Sequence, residues 1–413
     1  MSNPRVSLIV QPGDSFFPIV EAIDSARSSI NITIFRLDDP VIRKALREAV
    51  ARGVHVRALI AKFARGWEKE NKKLLKELAK AGIETKQPAA NSPKKRYHHK
   101  ILTVDESRSL VLTFNPTREN LHYTRDFGVV MYDGAVTREL ARLFDADWAD
   151  KAFDADHRLP LAISPINSRD RVMAFLDAAR RSIHISDAKV EDRRVLELLK
   201  DKAASGVEVR VLGSKASIHA RGSRIEYRQI TRFKMHAKCT VVDGERAFIA
   251  SMNLRSVSLD ARREVGVLVD DAKAVAEIEH VFESDWTQKS AARQTLKTRA
   301  PGDSASHGAR PHHAARASTF ALLSRTDVLS RFPLTPGANS IGRSSSNDIV
   351  ITHPSVSRSH ARVVINGGSY ELEDLGSQNG TFLNGRPVTG TAALHLGDII
   401  GIAQSDEFRF LEV

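Results

Sequence analysis

Five polar residues occur in the same order at two places in the chain, and their types suit chemistry on a phosphate ester. The two sets are His98, Lys100, Asp105, Asn115 and Asp126, and His236, Lys238, Asp243, Asn253 and Glu264. In both sets, 17 residues separate the histidine from the asparagine and 11 separate the asparagine from the last acid. A lone His-x-Lys carries little information, whereas a five-position pattern repeated at constant spacing is a specific signal.

The spacing of each histidine and lysine indicates a shared reaction centre. Residues two apart in a β-strand point to the same side, so His98 lies beside Lys100 and His236 beside Lys238. If the two sets meet about a pseudo-two-fold axis, one neutral histidine can attack phosphorus and form a phosphohistidine. The other histidine, protonated, can donate to the leaving oxygen.

The remaining residues of each set would stabilise and orient the reacting groups. Lysines and asparagines can hold the nonbridging phosphate oxygens, and each final acid can accept a hydrogen bond from an imidazole N–H. Asp105 and Asp243 have the opposite parity in a strand, so we assign them structural roles. The predicted catalytic residues are His98, Lys100, Asn115, Asp126, His236, Lys238, Asn253 and Glu264. This chemistry requires neither a metal nor a cofactor.

An internal repeat surrounds the two sets. The recurring segments are Ala26–Ile32 and Ala179–Ile185, Gly53–Arg57 and Gly206–Arg210, and Phe144–Trp148 and Phe282–Trp286. We predict two homologous halves, residues 1–155 and 156–288. Strand and helix patterns alternate in each half, which predicts α/β layers around a central sheet. The lysine-rich stretch Trp67–Lys80 has no counterpart in the second half and is predicted to be an exposed helix.

The rest of the chain has a different composition. Residues 289–319 are rich in Gln, Ser, Ala, Arg, Pro, Gly and His without periodicity, which predicts a flexible basic linker. Residues 320–413 contain short strands separated by Gly, Asn and Ser turns, which predicts an all-β sandwich. The expected architecture is therefore multidomain, with an α/β pseudo-dimeric repeat followed by a β-sandwich.

The first 288 residues resemble the phospholipase D superfamily through their two His-x-Lys-x4-Asp motifs. The resemblance implies a metal-independent phosphodiesterase with a covalent phosphohistidine intermediate, usually formed by the N-terminal histidine. It therefore assigns the nucleophile to His98 and the general acid to His236. The neighbouring His99 is out of register with Lys100 and should face the opposite side.

The C-terminal segment resembles a forkhead-associated (FHA) domain. The motifs that carry the resemblance are Gly342-Arg343, Ser357-Arg358-Ser359-His360 and Ser377–Gly385. The resemblance implies phosphothreonine binding, with Arg343 and Ser357 on the phosphate, Arg358 nearby and Asn379 on the peptide backbone. The expected partner is a phosphothreonine-containing protein, which implies a Ser/Thr kinase.

Charge bears on the choice of substrate. The net charge is +12, and Phe320–Val413 contributes −2, so the preceding residues carry +14. Lys94–Tyr97 leads directly into the His98 motif with three basic residues and an aromatic ring, a combination that suits a nucleic-acid backbone and would also attract an anionic membrane surface. The expected absence of membrane anchors and the compact size of each half favour a nuclease acting on DNA or RNA. Anionic phospholipid is the alternative, as in a phospholipase D or a cardiolipin synthase-like transphosphatidylase. A third hypothesis is a noncatalytic adaptor that binds nucleic acid.

Composition predicts a cytoplasmic protein. The chain has 42% hydrophobic and 27% charged residues, which is ordinary for a globular protein. Its single cysteine, Cys239, excludes an internal disulfide framework and fits a reducing compartment. We expect neither a transmembrane segment nor a secretory signal, because no long apolar run occurs.

Overall fold

The structure, a computed structural model, divides into two compact units, Met1–Arg293 and Gln294–Val413. The residues that it describes are 6–14, 16–88, 97–213, 224–230, 233–287, 320–324, 331–344, 346–351, 355–366, 369–384, 386–396, 398–403 and 406–412. The predicted linker 289–319 lies outside the described residues. The proposed domain boundaries at 155, 288 and 320 stay predictions.

The first half of unit one alternates strands and helices. Its elements are β1 (Val6–Gln11), α1 (Phe17–Asp24), β2 (Ser29–Ile34), α2 (Pro40–Ala51), β3 (His55–Ile60), α3 (Glu68–Lys80), β4 (Glu84–Lys86), β5 (Ile101–Val104), β6 (Arg108–Leu112), α4 (Arg118–Tyr123), β7 (Thr124–Met131) and α5 (Gly134–Trp148). Helix α2 begins at Pro40, because the Asp39 side chain accepts a hydrogen bond from the Ile42 amide and proline suits the first turn.

The second half repeats this order, except that its described residues include no helix in the place of α3 and add the short strand β12 (Lys234–Met235). Its elements are β8 (Leu161–Ser164), α6 (Ser168–Asp177), β9 (Ser182–Asp187), α7 (Arg193–Ala204), β10 (Glu208–Gly213), β11 (Glu226–Gln229), β12 (Lys234–Met235), β13 (Lys238–Val242), β14 (Arg246–Ala250), α8 (Ser256–Asp260), β15 (Glu264–Val269) and α9 (Ala272–Thr287). Asp192 caps α7 as Asp39 caps α2.

The two halves have the same sheet topology, as the sequence repeat predicts. The strand order is β4-β3-β2-β5-β6-β7-β1 in the first sheet and β11-β10-β9-β13-β14-β15-β8 in the second. In each sheet the first three strands of this order are parallel to one another and the later pairs are antiparallel. Each half buries its own apolar core of strand and helix side chains. Each sheet is therefore packed on an apolar core of its own.

Unit two is a β-sandwich. Its strands are β16 (Phe320–Ser324), β17 (Arg331–Leu334), β18 (Gly337–Gly342), β19 (Ile349–Val350), β20 (Ala361–Asn366), β21 (Ser369–Asp374), β22 (Thr381–Leu383), β23 (Arg386–Pro387), β24 (Thr391–Ala393), β25 (Ile399–Ile402) and β26 (Asp406–Glu412). They form sheets of the order β17-β16-β26-β25-β22-β23 and β19-β18-β20-β21-β24, with one apolar core of residues from both. This arrangement agrees with the predicted all-β sandwich.

The helices of the described ranges are all too short or too polar to cross a bilayer.

Candidate active site

Sheet topology explains the constant spacing of the two residue sets. Lys100 directly precedes β5, Asn115 follows β6, and Asp126 is in β7, in three successive antiparallel strands. The start of β5, the end of β6 and the start of β7 meet at one edge of the sheet. Strands β13, β14 and β15 place Lys238, Asn253 and Glu264 in the same way. Each half thus presents one complete set at one sheet edge.

The halves are joined by backbone hydrogen bonds beside the motifs. The amides of His98 and the next residue donate to the Arg263 carbonyl at 2.9 and 3.2 Å, and those of His236 and the next residue donate to the Arg125 carbonyl at 3.2 and 2.8 Å. Strand β12 also pairs with β7 of the other half. Because Arg125 and Arg263 directly precede the two acids, these bonds bring each acid to the opposite histidine.

The histidine–acid pairs are crossed between the halves. His98 Nδ1 lies 2.9 Å from Glu264 Oε2, and His236 Nδ1 lies 2.8 Å from Asp126 Oδ1. Both carboxylates are fully buried, while the histidine side chains are 14% and 26% exposed. With Nδ1 held by a carboxylate, Nε2 is the ring nitrogen available to a substrate.

The two lysines lie in the same buried cluster. Lys100 Nζ donates to the His98 carbonyl, and Lys238 Nζ donates to the His236 carbonyl and, across the halves, to the Thr113 carbonyl at 3.1 Å. Burial lowers the pKa of both ammonium groups, and the charge of Lys238 lowers that of Lys100 further. Two desolvated ammonium groups beside the imidazoles form a natural site for a phosphate anion.

The surroundings of the site keep the His98 imidazole neutral and the two acids ionised. Burial first, and then the Lys100 charge, lowers the pKa of His98 to about 3. Burial also lowers the pKa of His236, against the opposing pull of Asp126. Burial alone would raise the pKa of Asp126 and Glu264, but the charges and hydrogen bonds around them outweigh it and lower both values. Each pair is therefore suited to an imidazole that donates Nδ1–H to a carboxylate.

The two asparagines differ in their surroundings. Asn253 Nδ2 donates to Asp187 Oδ1 at 2.6 Å, and Asp187 also accepts from the Leu254 and Lys189 amides. Asn115 is buried, and its Oδ1 has no hydrogen-bond partner among the described residues. Asp187 was not among the residues predicted from the sequence. A carboxylate at the end of strand β9 was the available signal.

The two middle acids of the motifs shape turns. Asp105 and Asp243 have φ of 48° and 58°. The Asp105 carboxylate accepts hydrogen bonds from the amides of residues 27–29, and that of Asp243 from the amides of residues 180–182. They tie the start of β2 and β9 to the catalytic hairpins, which agrees with the structural role assigned to them.

His99 lies apart from the reacting groups. It is fully buried, with Nδ1 3.3 Å from the Arg263 carbonyl and Nε2 3.8 Å from Asp147. Arg263 also contacts Asp147 at 3.1 Å, and the equivalent pair Arg125–Asp285 is bidentate at 2.6 and 3.0 Å. These two buried ion pairs, which sequence reasoning did not identify, lock the halves together behind the site.

The predicted phosphopeptide residues lie on neighbouring loops of the sandwich. The Arg343 amide donates to the Ser357 carbonyl at 2.8 Å, and Arg343 Nε donates to the Val356 carbonyl. Ser357 Oγ accepts from the Gln378 amide, and Asn379 Nδ2 donates to the Ser355 carbonyl at 2.7 Å. The side chains of Arg343, Arg358 and Asn379 are exposed. The loops therefore present these groups together.

Gly342 and His360 shape these loops. A Cβ on Gly342 would lie 2.3 Å from the Arg358 carbonyl oxygen, so only glycine fits. Buried His360 accepts from the Ser357 amide at Nδ1 and donates through Nε2 to the Gly380 carbonyl. The Lys94-Lys95-Arg96 stretch, in contrast, lies outside the described residues.

Comparison with known proteins agrees with this geometry. A family model described as "Cardiolipin synthase, PLD-like domain" matches residues 19–148 and 172–286, more than half of the chain, and an FHA domain model matches residues 339–403. The chain belongs to the PLD-like family and carries an FHA domain. The predicted architecture, a PLD-like repeat followed by an FHA sandwich, is confirmed.

Individual relatives cover parts of the chain. A cardiolipin synthase of Halalkalibacterium halodurans is 25% identical over 335 residues, covering 68% of this chain and 66% of its own length. An ABC transporter ATP-binding/permease protein of Mycobacterium tuberculosis is 48% identical over 73 residues, 18% of this chain and 8% of its own. The PLD-like chain thus spans just under two thirds of that cardiolipin synthase.

A solved structure shares the fold. The polyphosphate kinase of Porphyromonas gingivalis is 18% identical with a TM-score of 0.57, over 68% of this chain and 50% of its own. At this identity the likeness concerns the fold of the PLD-like domain alone.

Proposed function

We propose that the PLD-like domain is a metal-independent phosphodiesterase that transfers a phosphatidyl group from a phospholipid to water or to an alcohol. The observation that carries this proposal is the crossed arrangement, in which each imidazole is held by the carboxylate of the other half and has a buried lysine beside it. We propose catalytic roles for all eight residues of the two sets.

The reaction would proceed in two displacements. His98 Nε2 attacks phosphorus, the new P–N bond forms as the P–O bond to the leaving alcohol breaks, and His236 gives its proton to the leaving oxygen. His236, now neutral, then takes the proton of the incoming hydroxyl, whose oxygen attacks phosphorus. The P–N bond breaks and its electron pair returns to Nε2. Lys100 and Lys238 stabilise the charge on the nonbridging oxygens in both steps.

The choice of His98 as nucleophile follows from its environment. Its pKa of about 3 keeps Nε2 unprotonated at neutral pH, and its side chain is the less exposed of the two. His236 is more open to solvent, which suits a group that exchanges a proton with the leaving and entering hydroxyls.

Phospholipid is the leading substrate because the relatives and the family model are named for cardiolipin synthases. These comparisons do not support the preference for a nuclease expressed in the sequence analysis. Nucleic acid is the second candidate, and the observation that favours it is the charge of +14 carried by the residues before Phe320. The cytoplasmic location inferred from the single cysteine is part of the same proposal.

One parallel assay separates these substrates. Phosphatidylglycerol vesicles, single-stranded DNA and duplex DNA are incubated with the protein and a chelator, and His98→Ala and His236→Ala variants serve as controls. We expect release or exchange of the lipid head group, abolished in both variants. Cleavage of DNA while the lipid stays intact would instead identify nucleic acid as the substrate. Binding of DNA without turnover of any substrate would favour the noncatalytic adaptor.

We propose that the FHA domain binds a phosphothreonine protein through Arg343, Ser357, Arg358 and Asn379. The exposed guanidinium of Arg343 and the neighbouring Ser357 hydroxyl suit a phosphate dianion. Arg343→Ala should weaken binding of a phosphothreonine peptide library at least about 30-fold, since a charge-assisted bond is lost. Arg386→Ala, at another exposed arginine of the domain, should leave binding unchanged. Equal binding by both variants would refute this assignment.

A further inference from the structure

Helix α3 presents a row of lysines on one face. Its opposite face buries Asn71, Leu74 and Leu78. The exposed lysines are Lys69, Lys72, Lys73, Lys76 and Lys80. The first four line a shallow depression in the protein surface. Residues three and four apart are neighbours on a helix, so these side chains form a continuous basic stripe, which we call the α3 lysine face.

No acid among the described residues forms an ion pair with the α3 lysine face. Glu77, which follows Lys76 on the helix, is engaged by Arg43 and Arg47 at 2.9 and 3.2 Å. Like charges at these spacings destabilise a helix. An external polyanion would relieve this repulsion.

The stripe begins beside the active site. Trp67, directly before α3, packs against Phe35 and Ala64 in a small apolar cluster. The Phe35 ring contacts the His98 ring edge-on, with the centroids 4.5 Å apart. Asn71 Nδ2 donates to the Phe35 carbonyl at 3.0 Å and so anchors the helix to the same segment. A surface bound by α3 would therefore lie next to the reacting histidine.

Aromatic side chains accompany the lysines at this end. Phe63 and Trp67 are half-buried, and Lys62 Nζ lies 5.6 Å from the Phe63 ring centroid. Lys62 and Arg65 are exposed and add positive charge at this end of the stripe. Basic residues together with an interfacial ring such as that of Trp67 are typical of segments that contact the head-group layer of an anionic membrane.

We propose that the α3 lysine face docks the protein onto an anionic phospholipid bilayer and thereby brings the PLD-like site to its lipid substrate. This inference deepens the proposed function and rests on phospholipid as the substrate class. The bilayer is favoured over nucleic acid because the basic stripe leads into aromatic side chains beside the site.

The test measures membrane binding separately from turnover. The full chain carrying His98→Ala is sedimented with vesicles of phosphatidylcholine alone or of a two-to-one mixture with phosphatidylglycerol. Lys72→Gln/Lys76→Gln is compared with Arg194→Gln/Lys200→Gln, which removes two exposed charges from helix α7. Circular dichroism checks that both double variants are folded.

The parent should bind the mixed vesicles and not phosphatidylcholine alone. Since a basic residue near an anionic surface contributes about fivefold to partitioning, the α3 double variant should bind about 25-fold more weakly, while the α7 variant changes less than about threefold. Equal losses in the two variants, or no binding by the parent, would overturn the proposal. If the α3 double variant loses binding to duplex DNA but still binds the vesicles, the α3 lysine face binds nucleic acid and the proposal is overturned.

Turnover distinguishes this inference from the proposed function. With His98 restored, the α3 double variant should hydrolyse a soluble short-chain phosphatidylglycerol at the parental rate and act more slowly on vesicles. If no phospholipid is turned over but the α3 variant still loses vesicle binding, the docking surface stands and the proposed reaction fails.

Discussion

The two catalytic halves share a topology but differ in how they hold their histidines. Asp126 accepts hydrogen bonds from Thr113 Oγ1 at 2.6 Å and Thr124 Oγ1 at 2.5 Å in addition to His236. Glu264 contacts His98, and its Oε1 has no hydrogen-bond partner among the described residues, with Arg262 at 3.9 Å. One carboxylate is therefore fixed by a hydroxyl network, and the other is held mainly by the imidazole and nearby charge.

The histidines themselves are covered differently. The Phe35 ring packs against His98, whose side chain is 14% exposed, whereas that of His236 is 26% exposed. A dry, neutral imidazole suits nucleophilic attack, and a more solvated one suits proton exchange. A sequence repeat can therefore supply two equivalent sets of groups while the packing around each set differs.

Removing each histidine is the most severe test of this division. Both His98→Ala and His236→Ala should reduce turnover by at least about 10⁴-fold, since each removes a reacting group. With an activated p-nitrophenyl phosphodiester, which needs no proton on its leaving oxygen, His236→Ala should still release a burst of nitrophenol and form a phosphohistidine. His98→Ala should give neither. A burst of nitrophenol from the His98→Ala variant, and none from the His236→Ala variant, would mean that His236 is the nucleophile and His98 the general acid.

Replacing the acids by amides should sharpen the comparison. Asp126→Asn and Glu264→Gln should each lower kcat by about 10²- to 10⁴-fold, because an amide no longer orients or stabilises the imidazole. Asp126→Asn should also destabilise the protein by about 1–3 kcal/mol, because its amide cannot accept from both threonine hydroxyls. Steady-state kinetics and urea unfolding measure these effects, with Asp154→Asn at an exposed acid as the control. If both amide variants lose the same unfolding free energy, the hydroxyl network around Asp126 does not hold it more firmly than Glu264 is held.

The two ion pairs behind the site should also differ. Arg125→Met leaves buried Asp285 without its bidentate partner and should cost about 3–5 kcal/mol of unfolding free energy. Arg263→Met should cost less, because burial raises the pKa of Asp147 to about 7 and this carboxyl can take up a proton instead. All three tryptophans precede Phe320, so their fluorescence reports on the first unit alone. A larger loss for Arg263→Met would contradict this ranking.

The smallest expected effect concerns pH. The nucleophile must be neutral, so kcat/KM should fall as pH drops through the His98 pKa, near 3, while proton donation by His236 fails as pH rises through its own lowered pKa. Phe35→Ala would hydrate His98, raise its pKa and move the acidic limb upward by about one pH unit. Phe153→Ala, at a half-buried ring elsewhere, should leave the limb in place, and tryptophan fluorescence should exclude unfolding. If the acidic limb of the pH profile stays unchanged in the Phe35→Ala variant, this ring does not control the protonation of His98.

Much of the molecule was predictable from local pattern. Helix caps such as Asp39, the alternation of strand and helix, and the repeat itself are encoded over short distances, so the order of elements could be inferred from them. The spacing from His98 to Asn115 and on to Asp126 follows from two successive hairpins of one sheet. The two residue sets could therefore be recognised from the sequence alone.

Tertiary structure decided which groups of the two sets meet. Within the chain, Asp126 is closer to His98 and Glu264 to His236, yet each acid binds the distant histidine because the Arg125 and Arg263 carbonyls pair with the opposite motif. Asp187 and Phe35 likewise act through neighbours far away in sequence. The amino-acid sequence alone determined the chemical groups and their spacing within each half. The packing of one half on the other determined their partners and their exposure to water, because those contacts are long-range and no local pattern encodes them.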